Sequence, residues 1–266
     1  MGELSNPSDI TFASRFECKY LVSPMLVPEI REFLYPFVQP DRFAALREGY
    51  RYPVCSLYLD TEDLRLYQQV VGGEKKRFKL RARTYSDAPS APVFLEVKRK
   101  INNIVRKRRA RVERQEAQSI LADSSRGFFA PVASGQLASD FDYFVEHTRL
   151  TEARPLIKVR YLREAYESRG GDPVRITIDT DLTHAVALDG DIGHEHGRWV
   201  SSSLTEHIIE IKFTDRYPTW IHDLVQMFGL NQRAVPKYAM SVEHMLVAGR
   251  ESALAVAGFT LPPLRA

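Results

Sequence analysis

Residues 76–112 read KRFKLRARTYSDAPSAPVFLEVKRKINNIVRKRRARV, and their alternation decides the fold. Successive side chains of a strand point to opposite faces. Lys79, Arg81 and Arg83 therefore share one face, while Phe78, Leu80 and Ala82 share the other. Glu96, Lys98 and Lys100 oppose Leu95 and Val97, and Lys107, Arg109 and Arg111 lie together. The turn-rich Ser86–Pro92 joins the first two runs, and Asn102-Asn103 marks a hairpin into the third.

The same pattern extends along the chain. Glu17 and Lys19 oppose Phe16, Cys18 and Tyr20; Arg175, Thr177 and Asp179 oppose Val174, Ile176 and Ile178; Glu210 and Lys212 oppose Ile209, Ile211 and Phe213. Further strands are predicted at 54–59, 156–166, 174–182 and 208–213. Helices are predicted over 23–38 (limited by Pro28 and Pro36), 61–70, 113–122, 137–150, 218–228 and 240–247, with a loose tail after them. Many strands with few connecting helices predict an α+β, mainly antiparallel protein with helices packed outside. One charged and one apolar face per strand fits a sheet with one wet side. It fits equally a closed barrel with a basic interior.

Totals conceal where the charge lies. The chain has 266 residues and a formal net charge of only +3, with 44% hydrophobic residues, which excludes wholesale disorder. Residues 75–114, however, hold fifteen Lys/Arg against Asp87, Glu96 and Glu113, a local net of +12, which leaves −9 for the remainder. Such a block is a footprint for phosphate-bearing ligands. The basic faces lack interleaved aromatics for base stacking, so no nucleic acid partner is expected. The N-terminus has no signal-peptide pattern, no apolar run spans a bilayer, and Cys18 and Cys55 form no metal-type pair. A cytoplasmic location is expected.

The segments RFECKY (15–20), SLYLDT (56–61), RFKLRARTY (77–85), FLEVKRK (94–100), VRKRRARV (105–112), VRYLREAY (159–166), VRITIDTDL (174–182) and IIEIKF (208–213) resemble the VTC domain of polyphosphate polymerases. That domain belongs to the triphosphate tunnel metalloenzymes, together with the CYTH-type triphosphatases. The resemblance implies an eight-stranded closed tunnel barrel with a basic interior and helices outside. It divides the chain into an extension at 1–11, a tunnel domain at 12–248 and a tail at 249–266. The activity implied is transfer of the γ-phosphate of ATP to a growing inorganic polyphosphate chain, with Mn²⁺ or Mg²⁺ as cofactor. A tunnel-type triphosphatase and a non-catalytic polyphosphate-binding module are the alternatives.

Carried over by motif, the catalytic cations are Lys19, Arg81, Arg83, Lys98, Lys107, Arg163 and Arg175. Arg109, Arg160, Lys212 and Lys237 are further phosphate ligands, and Glu210 matches the metal-binding glutamate. Glu96 and Glu17 either share the metal or pair with neighbouring bases, pairing being the reading for Glu17 and Glu96 standing beside Glu210 as the second metal candidate. Arginine suits bidentate phosphate contacts, lysine supplies point charge, and a carboxylate holds a hard cation. Two departures stand out. Arg15 occupies the position of the first Glu of the triphosphatases' ExExK strand, and Pro236-Lys237 replaces the polymerases' Ser-Lys, shifting the hydroxyl to Ser241. No regulatory segment or membrane helix is expected beside the domain, so coupling to translocation would need a separate membrane protein. His194-Glu195-His196 lies in a Gly/Asp-rich loop and reads as surface rather than as a metal site, and Asp60 reads as a helix cap.

Overall fold

The computed structural model describes residues 16–102, 104–127, 139–171, 173–214, 217–247 and 251–261. Its strands are β1 (Phe16–Val22), β2 (Val38–Pro40), β3 (Arg51–Asp60), β4 (Lys76–Thr84), β5 (Val93–Ile101), β6 (Ile104–Val112), β7 (Arg154–Ser168), β8 (Val174–Val186), β9 (Val200–Ser201) and β10 (His207–Phe213). The helices are α1 (Val27–Leu34), α2 (Arg65–Val71), α3 (Arg114–Ser125), α4 (Asp140–Thr151), α5 (Thr219–Met227), α6 (Lys237–Val247) and α7 (Glu251–Val256). Contacts divide the chain into two compact units. One holds residues 1–51, 163–180 and 205–235, and the other 52–162, 181–204 and 236–266.

The strands form a large sheet in the order β1-β10-β8-β7-β3-β4-β5-β6, with β2 on β7 and β9 on β8. Every pairing with a described register is antiparallel. The expected closed eight-stranded tunnel is not formed. β1 and β6 end the order and do not pair with each other among the described residues. Side-chain alternation reports which residues share a face, but carries no information on curvature or on a final closing pair. The two ends also carry charge that discourages strand pairing: Arg106 to Arg109 on β6, and Glu17 and Lys19 on β1.

In the first unit, Tyr20, Val22, Ile176, Ile178, Ile209 and Ile211 form the apolar side of β1, β10 and β8. Ile30 and Leu34 of α1 and Ile221 and Leu224 of α5 cover it. In the second unit, Leu57, Leu59, Leu80, Ala82, Leu95, Val97, Ala110 and Val112 pack beneath Ala117 and Leu121 of α3 and Phe144 of α4. Each of the Val, Leu and Ile side chains among them contributes about 1.5–3 kcal/mol when fully buried.

Local chemistry sets the ends of these elements. Asn102 turns the β5–β6 hairpin at φ 53°, a left-handed conformation that Asn tolerates. Ser139 and Asp142 close a capping box on α4, each side chain accepting from the other's backbone N–H. Asp140 then accepts from Arg108 Nε at 2.6 Å and from the Arg109 backbone at 3.1 Å, pinning α4 against β6. Past residue 248, where a loose tail is expected, α7 forms, and Leu254 and Phe259 are buried. Among the described residues no helix is long and apolar enough to cross a membrane.

Candidate functional site

The register of β3 to β6 assembles the basic block into rows. Tyr58, Arg81, Glu96 and Arg109 lie directly across from one another on four successive strands. The next row places Lys79, Lys98 and Lys107 side by side on β4, β5 and β6. Ser56, Arg83 and Phe94 form the row on the other side. Three lysines thus stand in adjacent register positions, with Lys107 Nζ 2.6 Å from the Glu96 carboxylate.

Glu96 is the counter-charge. It is fully buried, and its carboxylate takes Arg81 Nε at 2.5 Å, Lys107 Nζ at 2.6 Å and Arg109 Nε at 2.6 Å. Burial would raise its carboxyl, but Arg81, Arg83, Lys107 and Arg109 outweigh that and hold it well below the usual carboxylate range. Lys107 is affected in the opposite sense. Desolvation by the neighbouring strands, with Arg109 and Arg81 nearby, outweighs Glu96 and lowers the ammonium to about 7, although a third of the side chain remains exposed. Arg83, 7% exposed, donates to Ser56 Oγ at 2.9 Å and to the Tyr161 hydroxyl at 3.4 Å. Lys237, at the start of α6, sits 4.9 Å from the centre of the Tyr161 ring.

Tyr58 accepts from Arg81 Nη1 at 3.3 Å, and its ring stacks on Tyr238 at 4.7 Å. Burial disfavours the Tyr58 phenolate, yet Arg81, Arg83 and Lys79 draw the phenol down to about 8. The Tyr238 hydroxyl donates to Asp60, which also accepts from the backbones of Leu66 and Tyr67 and so caps α2. The capping expected of Asp60 is therefore present.

The other unit carries a smaller, mixed array. Glu17 pairs across to Lys212 and on to Arg175, while Lys19 pairs across to Glu210 and on to Thr177. Lys19 Nζ lies 2.9 Å from Glu17 and 3.4 Å from Glu210, and Lys212 Nζ lies 2.5 Å from Glu210 and 3.8 Å from Glu17. Burial works against the Lys19 charge, but Glu210 and Glu17 more than offset it and raise the ammonium. Arg163 makes a two-pronged pair with buried Asp179 at 2.6 and 2.8 Å, and Arg175 pairs with buried Asp41 at 2.6 Å.

The expected residues thus fall into two groups. Arg81, Arg83, Lys98, Lys107, Arg109, Lys237 and Glu96 belong to the second unit, and Lys19, Arg163, Arg175, Lys212 and Glu210 to the first. Arg160 stands apart. It lies on the opposite side of β7 from Tyr161, donates to the His194 carbonyl at 2.7 Å and stacks over Trp199. Arg15 lies outside the described residues. The loop at 194–196 is held by its backbone: the N–H groups of His194 and Glu195 donate to Asp87, and the His196 carbonyl accepts from Lys158. Sequence reading overlooked Ser56, Tyr58, Tyr161 and the anchoring acids Asp41 and Asp179. Parity could have found Tyr161, which is two residues from Arg163, and could have set Arg160 aside.

Among the described residues no group of three or more His, Cys, Asp or Glu gathers as a metal centre. Glu17 and Glu210 are two hard oxygen donors bridged by lysines. Each of the two is already paired with Lys19 and Lys212, so a hard cation would have to displace those ammonium groups.

The fold is similar to that of a Bacillus halodurans protein assigned provisionally as an adenylate cyclase, at 17% identity and a TM-score of 0.50, covering 82% of this chain and 91% of that one. It is also similar to a provisionally assigned adenylyl cyclase from Hippeastrum described as having a dominant triphosphatase activity. That match has 15% identity and a TM-score of 0.51, covering 87% of this chain and 96% of the other. At such identities the likeness concerns the fold. No curated protein matches the sequence. The model of the VTC domain matches residues 14–246, and the chain belongs to that family, within the triphosphate tunnel metalloenzyme superfamily.

Proposed function

We propose that the protein binds the phosphate chain of an inorganic or nucleoside triphosphate and cleaves its terminal phosphoanhydride. The observation that carries this reading is the β4–β6 face, where Arg81, Lys107 and Arg109 converge on the buried Glu96 carboxylate and Arg83 and Lys98 lie on the same face. Phosphoryl transfer passes through a loose transition state with charge spread over equatorial oxygens, so positioned cations supply most of what catalysis needs. Arg81 and Arg83 grip phosphate oxygens, and the lysine row neutralises charge along the chain. Lys237 adds a cation from α6. In the first unit, taken by itself, Glu210 is the carboxylate that would hold Mg²⁺ or Mn²⁺, which would supply charge neutralisation to phosphate when bound. Glu96 serves as the anchor of the cation cluster. The dominant triphosphatase activity ascribed to the Hippeastrum relative supports the reading.

Transfer of the phosphoryl group to a growing polyphosphate chain is the second reading, favoured by the match to the VTC domain. Both follow from one test. The purified chain is incubated with tripolyphosphate or ATP and Mn²⁺, and both phosphate release and chain growth are measured. Metal-dependent release from tripolyphosphate is expected. Accumulation of long chains from ATP establishes the second reading, and tight binding with no turnover reduces the protein to a polyphosphate-binding module.

A further inference from the structure

The far end of the β4–β6 meander has a property that phosphate binding does not account for. Here Lys76 pairs with Ile101 and Ile101 with Ile104, Arg77 with Lys100 and Lys100 with Val105, and Arg99 with Arg106. The Asn102 N–H donates to the Lys75 carbonyl at 2.8 Å, which joins the hairpin to the turn before β4. Ile104 and Val105 are 65% and 49% exposed, although β-branched aliphatics are ordinarily buried. Lys75, Lys76, Arg99 and Arg106 are exposed beside them, and among the described residues none of the four makes an ion pair. The acid of this segment is Glu74. Strand parity puts Ile104 and Arg106 on one face of the tip and Val105 and Lys100 on the other, so cations flank an aliphatic residue on both sides.

We propose that this hairpin end docks the protein on an anionic lipid surface, with Ile104 and Val105 entering the headgroup layer and the surrounding Lys and Arg side chains engaging lipid phosphates. Aliphatic tips ringed by basic residues match the two layers of such a surface, apolar below and anionic above. A soluble polyanion would satisfy the cations but leave Ile104 and Val105 in water. The aromatic nearest the tip, Phe78, packs against the core instead of offering a face for base stacking. The inference is independent of the reaction proposed above, since none of Lys75, Lys76, Arg99, Ile104, Val105 and Arg106 belongs to the candidate site.

Sedimentation of the full chain with vesicles of phosphatidylcholine, with and without phosphatidylglycerol, tests this. Binding to the mixed vesicles alone is expected, weakening as salt screens the charges. Replacing both Arg99 and Arg106 by Ser should lower partitioning about 25-fold, at roughly fivefold for each basic residue near the surface. I104S/V105S, which changes no charge, should lower it at least about tenfold through lost apolar burial. Circular dichroism and tripolyphosphate affinity should be unchanged in both variants. Equal binding to neutral vesicles, or no binding to either, overturns the proposal. So does lipid binding that ignores I104S/V105S, which would mark the tip as a surface for soluble polyanions.

Discussion

Glu96→Gln is the most informative single change, because one buried carboxylate holds Arg81, Lys107 and Arg109 together. The substitution keeps the volume and an acceptor oxygen but removes the charge. Arg81, Lys107 and Arg109 lie at 2.5, 2.6 and 2.6 Å, and the Arg81 and Arg109 side chains are only 17% and 11% exposed. Removing one partner of a buried ion pair costs about 3–5 kcal/mol because it strands the other charge. Lys107 can relieve part of this by releasing its proton, being already lowered to about 7; Arg81 and Arg109 cannot. A stability loss of about 3–5 kcal/mol without ligand is expected, a fall in melting temperature on the order of 10 °C. Tripolyphosphate supplies the missing negative charge. At a hundredfold excess over its Kd a ligand adds about 2.7 kcal/mol, and the recovery should be larger in the variant than in the parent protein at equal ligand concentration. Thermal and urea unfolding, each with and without tripolyphosphate, read both effects. Unchanged stability without ligand, or equal ligand shifts in both proteins, would refute Glu96 as the counter-charge that a phosphate chain replaces.

Other expectations follow from the same geometry. Arg81→Ala and Arg83→Ala should each lower tripolyphosphate affinity more than tenfold by calorimetry while circular dichroism is preserved, since Glu96 keeps Lys107 and Arg109; unfolding without ligand would make either arginine a structural partner. Lys107 is lowered from 10.5 to about 7, so phosphate binding above pH 7 should take up a proton and weaken as pH rises. Lys107→Arg should flatten that slope relative to the parent, whatever the ligand's own titration. For stability the sign reverses: the unfolded lysine holds its proton up to about 10.5, so Lys107 destabilises the fold most below pH 7 and less as pH rises through that window. Glu210→Gln should raise the Mn²⁺ concentration needed for half-maximal turnover at least about tenfold, yet leave metal-free tripolyphosphate binding within about threefold; an unchanged metal requirement would remove Glu210 from the metal site.

The elements were legible because they depend on local pattern. Alternation over 76–112 placed β4, β5 and β6 within a residue or two, and the turn at Asn102 set a register that brings Lys98 opposite Lys107. The closed tunnel was not legible, because closure depends on twist and on which end strands meet, and neither leaves a period in the sequence. The site shows the same division. Residues of common parity on one strand, such as Arg81 and Arg83, share a face in the structure, whereas Arg160 and Arg163 of β7, three positions apart, do not. The anchoring acids were invisible for a different reason. Asp41 and Arg175 are 134 positions apart, and nothing in either local sequence marks them as partners.

These anchors change what binding means for the proposed site. Within the second unit Arg81, Lys107 and Arg109 are held by Glu96, and within the first, taken by itself, Arg163 is held by Asp179, Arg175 by Asp41, and Lys19 and Lys212 by Glu17 and Glu210. An isolated anion would have to displace a short, charge-assisted hydrogen bond to a buried carboxylate and gain only one of the same kind, so little net affinity would result. A phosphate chain differs because its charges are covalently linked. The first contact brings the next phosphate to its cation at high effective concentration, so each exchange after the first avoids a separate loss of translational freedom. The same carboxylates hold the guanidinium groups in place before any ligand arrives, which lowers the ordering cost of binding. On this argument affinity should rise steeply from phosphate to pyrophosphate to tripolyphosphate. A flat series measured by calorimetry at constant ionic strength would mean that the cations are structural pairs and that the ligand binds elsewhere.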